Sequence, residues 1–257
     1  MRALPCLVLF TKPALPGRVK TRLIGAEVGG RRLDAEDACR LPAALLGDLA
    51  ERLAAGAGRD FHLRVAWDLA PGEEMPPLPA ELAGRGGVDA VRQRGDDLGR
   101  RMFAALEEAA VSSEVVAVVG SDHPTLELGG VLTAFEALAS GAAEVALGPS
   151  EDGGYHFLAL RRERLSPRLF DGVEWSSERV LAQTRERCRE LGLEVTELPT
   201  TRDVDHGEDV SALAVKLAVA PAGECPRTRR LLAAWGLLAG AAGQPAPPAV
   251  ETPSCGS

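Results

Sequence analysis

A chain of 257 residues, 46% of them hydrophobic, can bury one sizeable core, so a single α/β domain carrying a tail is expected. The formal net charge of −8 excludes a general nucleic-acid binder, which needs a broad surplus of Lys and Arg. The longest apolar stretches, 115–119 and 231–242, fall short of the roughly 20 residues of a membrane helix, and no signal-type apolar region precedes the first strand, so the expectation is a cytoplasmic protein with no membrane span.

In chain order, the first strand is expected at 6–10. It runs into FTKPALPGRVKTRL, residues 10–23, where Pro13, Pro16 and Gly17 break regular structure and Lys12, Arg18, Lys20 and Arg22 accumulate. Only Lys12, Lys20 and Lys216 among the 29 Lys and Arg are lysines. Two of these three compact ammonium groups therefore fall in this one loop. In an open α/β sheet ligands bind at the carboxyl ends of strands, so four cations here suggest a clamp for a polyphosphate, with Phe10, Thr11 and Gly17 beside it. No GxxxxGK[ST] is present, which disfavours a P-loop enzyme. An ordinary solvated basic loop is the plainer alternative.

A helix is predicted at 30–54, a strand at 63–67, a Pro/Gly-rich surface excursion at 70–87 and a strand at 90–92. The segment GDDLGRRM, residues 95–102, leads into a helix at 98–110. Gly95 and Asp96 could face a substrate there, although acids before a helix also serve as caps. The apolar strand at 115–119 ends in Gly120, Ser121, Asp122, His123 and Pro124. A carboxylate at that edge suits Mg²⁺ or Mn²⁺, hard cations that take oxygen ligands, which makes Asp122 the candidate metal ligand; capping of the next helix, 128–140, is the competing role. Ser121 is expected to contact substrate; His123 is a further ligand, a substrate contact or a structural hydrogen-bonding histidine.

Strands at 145–148 and 156–160 flank Glu151, Asp152, Gly153 and Gly154. This is either a ligand-approaching turn, in which Asp152 orients or deprotonates an acceptor hydroxyl, or a hairpin of the Asp-Gly type. Tyr155 follows directly. FDGVEWSSERVL, residues 170–181, puts Trp175 in a loop that could bound an acceptor pocket or simply pack. A helix at 177–191 and a strand at 194–198 precede TRDVDHGEDV, whose alternating Asp203 and Asp205 share one side if extended. Mg²⁺ commonly takes one or two protein carboxylates, so Asp205 could join Asp122. Helices at 208–219 and 227–238 end the pattern, giving one α/β domain over 1–220, a C-terminal helix within 221–240 and an Ala/Pro/Gly-rich disordered tail over 241–257. The five cysteines have no ligand spacing and are expected to be unpaired.

FTKPALPGRVKTRL, GDDLGRRM, VVGSDHPTL, LGPSEDGGYHFLAL, GVEWSSERVL and DVDHGEDV, in this order, resemble the selenodomain-associated transferase family found beside radical-SAM genes, over roughly residues 4–213. That family is similar to GT-A nucleotide-diphospho-sugar transferases and to the guanylyltransferases of molybdenum-cofactor and phospholactate chemistry. The resemblance implies a GT-A, three-layer α/β fold with a mostly parallel central sheet. It also implies metal-dependent transfer between a nucleotide-sugar or nucleotide donor and a small-molecule acceptor. On the matching positions, Lys12, Arg18, Lys20 and Arg22 would hold phosphates, Asp122 and Asp205 the metal, and Asp152 would face the acceptor; Lys20, Asp122 and Asp152 would be the catalytic residues. Two departures stand out: His123 where the family has Cys or a small residue, and DHGED at 205–209 for DTPED, which would loosen that turn. Glycosyl transfer is the leading reading. Nucleotidylyl transfer to a phosphorylated acceptor, releasing pyrophosphate, is the alternative, and a non-catalytic nucleotide-binding module is the rival from another class.

Overall fold

A computed structural model describes residues 3–238; the tail expected at 241–257 lies outside them. The backbone of the fold is a seven-stranded sheet in the order β5–β4–β1–β6–β8–β7–β9. Its strands are β1 (Cys6–Thr11), β4 (His62–Trp67), β5 (Val88–Arg92), β6 (Val115–Gly120), β7 (Val145–Pro149), β8 (Tyr155–Arg161) and β9 (Val195–Glu197). β8 pairs antiparallel with both β6 and β7, and every other pairing in this sheet is parallel. The apolar runs of β1, β6, β7 and β8 are buried on both faces, as a sheet covered by helices on either side requires, whereas the edge strands β5 and β9 are half-buried or exposed.

The period-two alternation divides the core. Leu7 and Leu9 of β1, with Ala117 and Val119 of β6, face helices α1 (Ala35–Ala54) and α3 (Leu128–Ser140). Cys6 and Val8, with Val116 and Val118, face α2 (Leu98–Ala110) and α4 (Val180–Glu190). The three-layer α/β arrangement expected from the strand and helix periods is therefore present. A third apolar cluster, behind α1, joins Leu41 and Leu45 to α5 (Gly207–Val219) and α6 (Pro226–Ala234) through Leu213, Leu217, Leu231 and Leu232. Asp48 of α1 is buried and accepts hydrogen bonds from the backbone amides of Arg227 (3.0 Å) and Thr228 (2.8 Å). It thereby caps α6, whose first residue, Pro226, lacks an N–H to satisfy.

Two helices depart from the sequence reading: the one expected at 227–238 ends at Ala234, and the first starts late. The helix expected to begin at Gly30 begins at Ala35, because β2 (Glu27–Val28) and β3 (Arg31–Arg32) form a small antiparallel hairpin first. Gly29 and Gly30 form its two-residue turn with φ of 59° and 81°, the left-handed pair that tight hairpins need and glycine supplies at little steric cost. Asp34 then starts α1 by accepting from the Asp37 amide at 2.8 Å. The excursion at 70–87 contains no regular strand or helix but is pinned by Leu82, which is fully buried in the core. The four described cysteines, Cys6, Cys39, Cys188 and Cys225, are all free thiols.

Candidate functional site

The carboxyl ends of the parallel strands converge on one edge. Each strand continues into its loop by a bond to its neighbour: the Asp68 amide donates to the Thr11 carbonyl (2.9 Å), the Gln93 amide to that of Trp67 (2.9 Å), and the Ser121 amide to that of Phe10 (3.2 Å). The residues that follow β1, β4, β5 and β6 are therefore brought side by side at one edge of the sheet.

Two cavities open here. The first, about 410 Å³, is bounded by Phe10, Thr11, Lys12, Arg18, Lys20 and Ser121, with Asp68, Gln93 and Arg101 opposite. The second, about 560 Å³, lies toward β8 and includes Arg22, His123, Asp152, Gly154, Tyr155 and Trp175. Asp122, Asp205, Gly120, Leu98 and Ser176 border both. Gly17, Gly95, Asp96 and Gly153 border neither. Gly17 is an exposed turn residue. At Gly95, a Cβ would sit 2.7 Å from the Arg101 amide nitrogen, so this glycine serves the close entry into α2. Asp97 caps that helix by accepting from the Arg100 amide at 2.8 Å. Gly153 (φ 85°) lies against the Glu178 backbone and accepts from the Leu181 amide at 2.8 Å, tying the acidic turn to the start of α4.

At the junction of the cavities, Lys20 Nζ lies 2.7 Å from Asp122 Oδ2 and 3.0 Å from Asp205 Oδ1, with its side chain only 7% exposed. Three separate parts of the sequence meet at one ammonium group. Burial works against its charge, but the two carboxylates outweigh that and hold Lys20 above its ordinary lysine value. Asp205 is likewise disfavoured by burial yet held below the usual carboxylate range by Lys20 and Arg22, the latter at 2.9 Å. Local backbone sets this up. Lys20 adopts a left-handed conformation (φ 46°) just before a single 3₁₀ turn, Thr21–Leu23, whose Leu23 is fully buried in the third cluster. Asp209 Oδ2 accepts from the amides of Asp205 (3.1 Å) and His206 (2.7 Å). Asp209 thus holds the DHGED turn, and a Cβ at Gly207 would lie 3.2 Å from Ala26 Cβ and 3.3 Å from Val28 Cγ2. Asp122 caps no helix, since α3 starts after Glu127.

The remaining cations of the loop also have partners: Lys12 pairs with Asp68 (3.2 Å), and Arg18 with Glu73. Asp68 also binds Arg101 at 2.6 Å. Burial opposes the Asp68 charge, but Arg101 and Lys12 hold it below the usual carboxylate range. Asp68, Gln93 and Arg101 were not singled out in the sequence. Asp68 follows a strand just as Asp122 does. Arg101, in the first turn of a helix where the dipole disfavours a cation, was a signal that could have been read.

In the second cavity His123 and His156 are 5% and 4% exposed, and both Nδ1 atoms lie within hydrogen-bonding distance of Thr201 Oγ1, at 3.1 and 3.0 Å. Burial lowers both, His123 well below its ordinary value and His156 to about 4, so both imidazoles are neutral near pH 7. Opposite them, burial and the neighbouring Asp152 push Asp203 up to about 6. The turn carrying Asp152 is a hairpin: the Ser150 amide bonds to the Gly154 carbonyl at 3.0 Å and Asp152 accepts from the Gly154 amide at 2.9 Å. The same turn brings Asp152 to the border of the cavity. Trp175 both packs, stacking on Phe170, and bounds the cavity. Ser176, at the cavity junction, has φ of 66°, rare for a residue other than glycine.

Residues 52–177 match the model of a family described as an uncharacterized protein conserved in bacteria, DUF2064. The chain is 30% identical to a protein of Desulfovibrio desulfuricans G20, provisionally described as a nucleotide-diphospho-sugar transferase, whose crystal structure it matches with a TM-score of 0.75 over 91% of this chain and 96% of that one. A cytidylyltransferase of Leptospira borgpetersenii serovar Hardjo-bovis, 14% identical, matches over 92% of this chain and 96% of its own with a TM-score of 0.53. CMP:2-keto-3-deoxy-manno-octonic acid synthetase in complex with CTP, 13% identical, matches over 84% and 99% with a TM-score of 0.50. These last two share the fold. No curated protein matches the chain.

Proposed function

The chain belongs to the DUF2064 family of proteins with the nucleotide-diphospho-sugar transferase fold, and on that premise we propose that it is a metal-dependent glycosyltransferase moving a sugar from a nucleoside-diphosphate donor to a small-molecule acceptor. The observation that carries this reading is the single ammonium of Lys20 held by Asp122 and Asp205 where the two cavities meet. Two carboxylates already drawn around one positive charge are a donor set suited to a hard divalent cation that fills its other positions with phosphate and water. Asp122 and Asp205 would hold Mg²⁺ or Mn²⁺; when bound, that ion supplies neutralisation of the departing diphosphate.

The chain's own residues supply the rest. Lys20, released from the two carboxylates, becomes available to the diphosphate, and Lys12, Arg18 and Arg101 surround the same cavity. The acceptor oxygen or sulfur attacks the sugar C1 as the C1–oxygen bond to the diphosphate breaks, and the diphosphate leaves with the bonding pair. Asp152, at the edge of the second cavity, receives the acceptor proton. Positioning and electrostatic stabilisation suffice, with no covalent enzyme intermediate.

The deciding experiment incubates the protein with UDP-glucose, GDP-mannose and nucleoside triphosphates, each with and without Mn²⁺, and identifies the phosphate product. Metal-dependent release of nucleoside diphosphate is expected. Pyrophosphate release would replace this reading with nucleotidylyl transfer, and nucleotide binding without any metal-dependent turnover would reduce the protein to a binding module.

A further inference from the structure

The two cavities carry opposite charge. Four cations, Lys12, Arg18, Lys20 and Arg101, and three carboxylates, Asp68, Asp122 and Asp205, border the first, a surplus of one positive charge. Among the described residues, the second has one Lys or Arg, Arg22, which pairs with Asp205 at 2.9 Å, and, besides Asp122 and Asp205, three carboxylates, Asp152, Glu178 and Asp203. Among the described residues, none of these three forms an ion pair with a Lys or Arg.

The opposite wall is apolar: Leu98, Met102, Val180 and the rings of Tyr155 and Trp175. Trp175 is fixed in place. Its indole stacks on Phe170 at 6.4 Å with an interplanar angle of 29°, and it lies over Gly99, where a Cβ would come within 2.5 Å of the indole ring. A side chain on residue 99 would displace the ring, so α2 is shaped to receive it. Carboxylates without a Lys or Arg partner beside a fixed apolar wall are the chemistry that recognises an ammonium group: the carboxylates favour a cation, and the apolar wall accepts the body attached to it.

We propose that the acceptor is a small molecule bearing a cationic nitrogen on an apolar body, and that phosphorylated and carboxylate acceptors are rejected. This rests on the second cavity being the acceptor side of the transfer described above. It also bears on the alternative chemistry, because a phosphorylated acceptor would enter a pocket whose only cation among the described residues is already paired.

The test uses four probes with one body and different head groups: phenylpropylamine, phenylpropanol, phenylpropionate and phenylpropyl phosphate. Their binding to the full chain is measured by ligand-observed NMR at low ionic strength, where exposed charges are least screened. The amine is expected to bind about tenfold tighter than the phosphate or carboxylate. The preference should shrink in Asp152→Asn and Glu178→Gln, whose exposed positions tolerate the change, and vanish in the Asp152→Asn, Asp203→Asn double variant, with thermal melting reporting the fold. Equal or tighter binding of either anion, an amine preference that survives all the variants, or no binding of any probe would overturn the proposal. The same samples are titrated with UDP-glucose and GDP-mannose in the presence of Mn²⁺. If a nucleotide sugar binds while the amine preference fails, only the acceptor class is wrong; if neither nucleotide sugar binds, the transferase reading itself is in difficulty.

Discussion

The centre of the site and its rim use the same residue types to different effect. Lys20, with 7% of its side chain exposed, sits between two acids. Lys12, Arg18 and Arg22 come from the same loop but are 59%, 42% and 63% exposed; Lys12 and Arg18 pair with half-buried acids of the rim, Asp68 and Glu73, and Arg22 reaches Asp205 from the solvent side. An exposed pair is screened and worth little, whereas breaking a buried pair leaves an uncompensated charge. The contrast teaches that the count of cations in the loop overstates the clamp. One ammonium is built into the molecule, and the rest are solvated groups that a polyphosphate could recruit by exchanging partners. The neutral His123–Thr201–His156 group belongs with the centre by the same criterion of burial.

The sharpest way to break this comparison is Lys20→Met. Loss of a preorganised charge at the reacting phosphates is expected to lower turnover on the order of 10²–10³-fold. In the same variant Mn²⁺ alone should raise the melting temperature more than it does in the wild type, since Nζ no longer occupies the two carboxylates. Turnover within about tenfold of wild type would put Lys20 on a par with the rim.

A smaller effect is expected from the histidines. A folded-state value near 4 for His156, against an ordinary 6.5, means that the unfolded chain takes up a proton the folded one resists. The associated stability is complete above pH 6.5 and is lost as the pH falls toward 4. Between about pH 7.5 and about pH 5 the wild type should therefore lose on the order of 2 kcal/mol more than His156→Gln in denaturant titrations. Equal losses in the two proteins would show that the imidazole is not held neutral. Smallest of all, Arg18→Ala should leave the melting temperature nearly unchanged and raise the KM for the donor only a few-fold, with that difference fading as salt is added. A loss as large as that of Lys20→Met would erase the distinction between centre and rim.

Much of this molecule is written locally. The Val- and Leu-rich runs of β1, β4, β6, β7 and β8 could hardly be anything but buried strands, and α2 and α3 begin and end where their apolar periodicity does. The hairpin at 27–32 escaped because two glycines before an amphipathic stretch read equally well as a helix entry. Cations after β1 and acids after β6 were equally legible, because residues that leave a buried strand at its carboxyl end have few places to go.

The sequence by itself determined the α/β layering, the site's edge of the sheet and most of the residue types found there, because period, strand ends and breakers are short-range properties of the chain. Only the tertiary structure decided which charges meet. That Lys20 lies against acids far away along the chain, that Asp68 and Arg101 share a partner set with Lys12, and that Asp152, Asp203 and Glu178 find no Lys or Arg among the described residues to pair with are outcomes of packing. Charge–charge energies depend on distance and burial, and neither is defined until the helices have closed over the sheet.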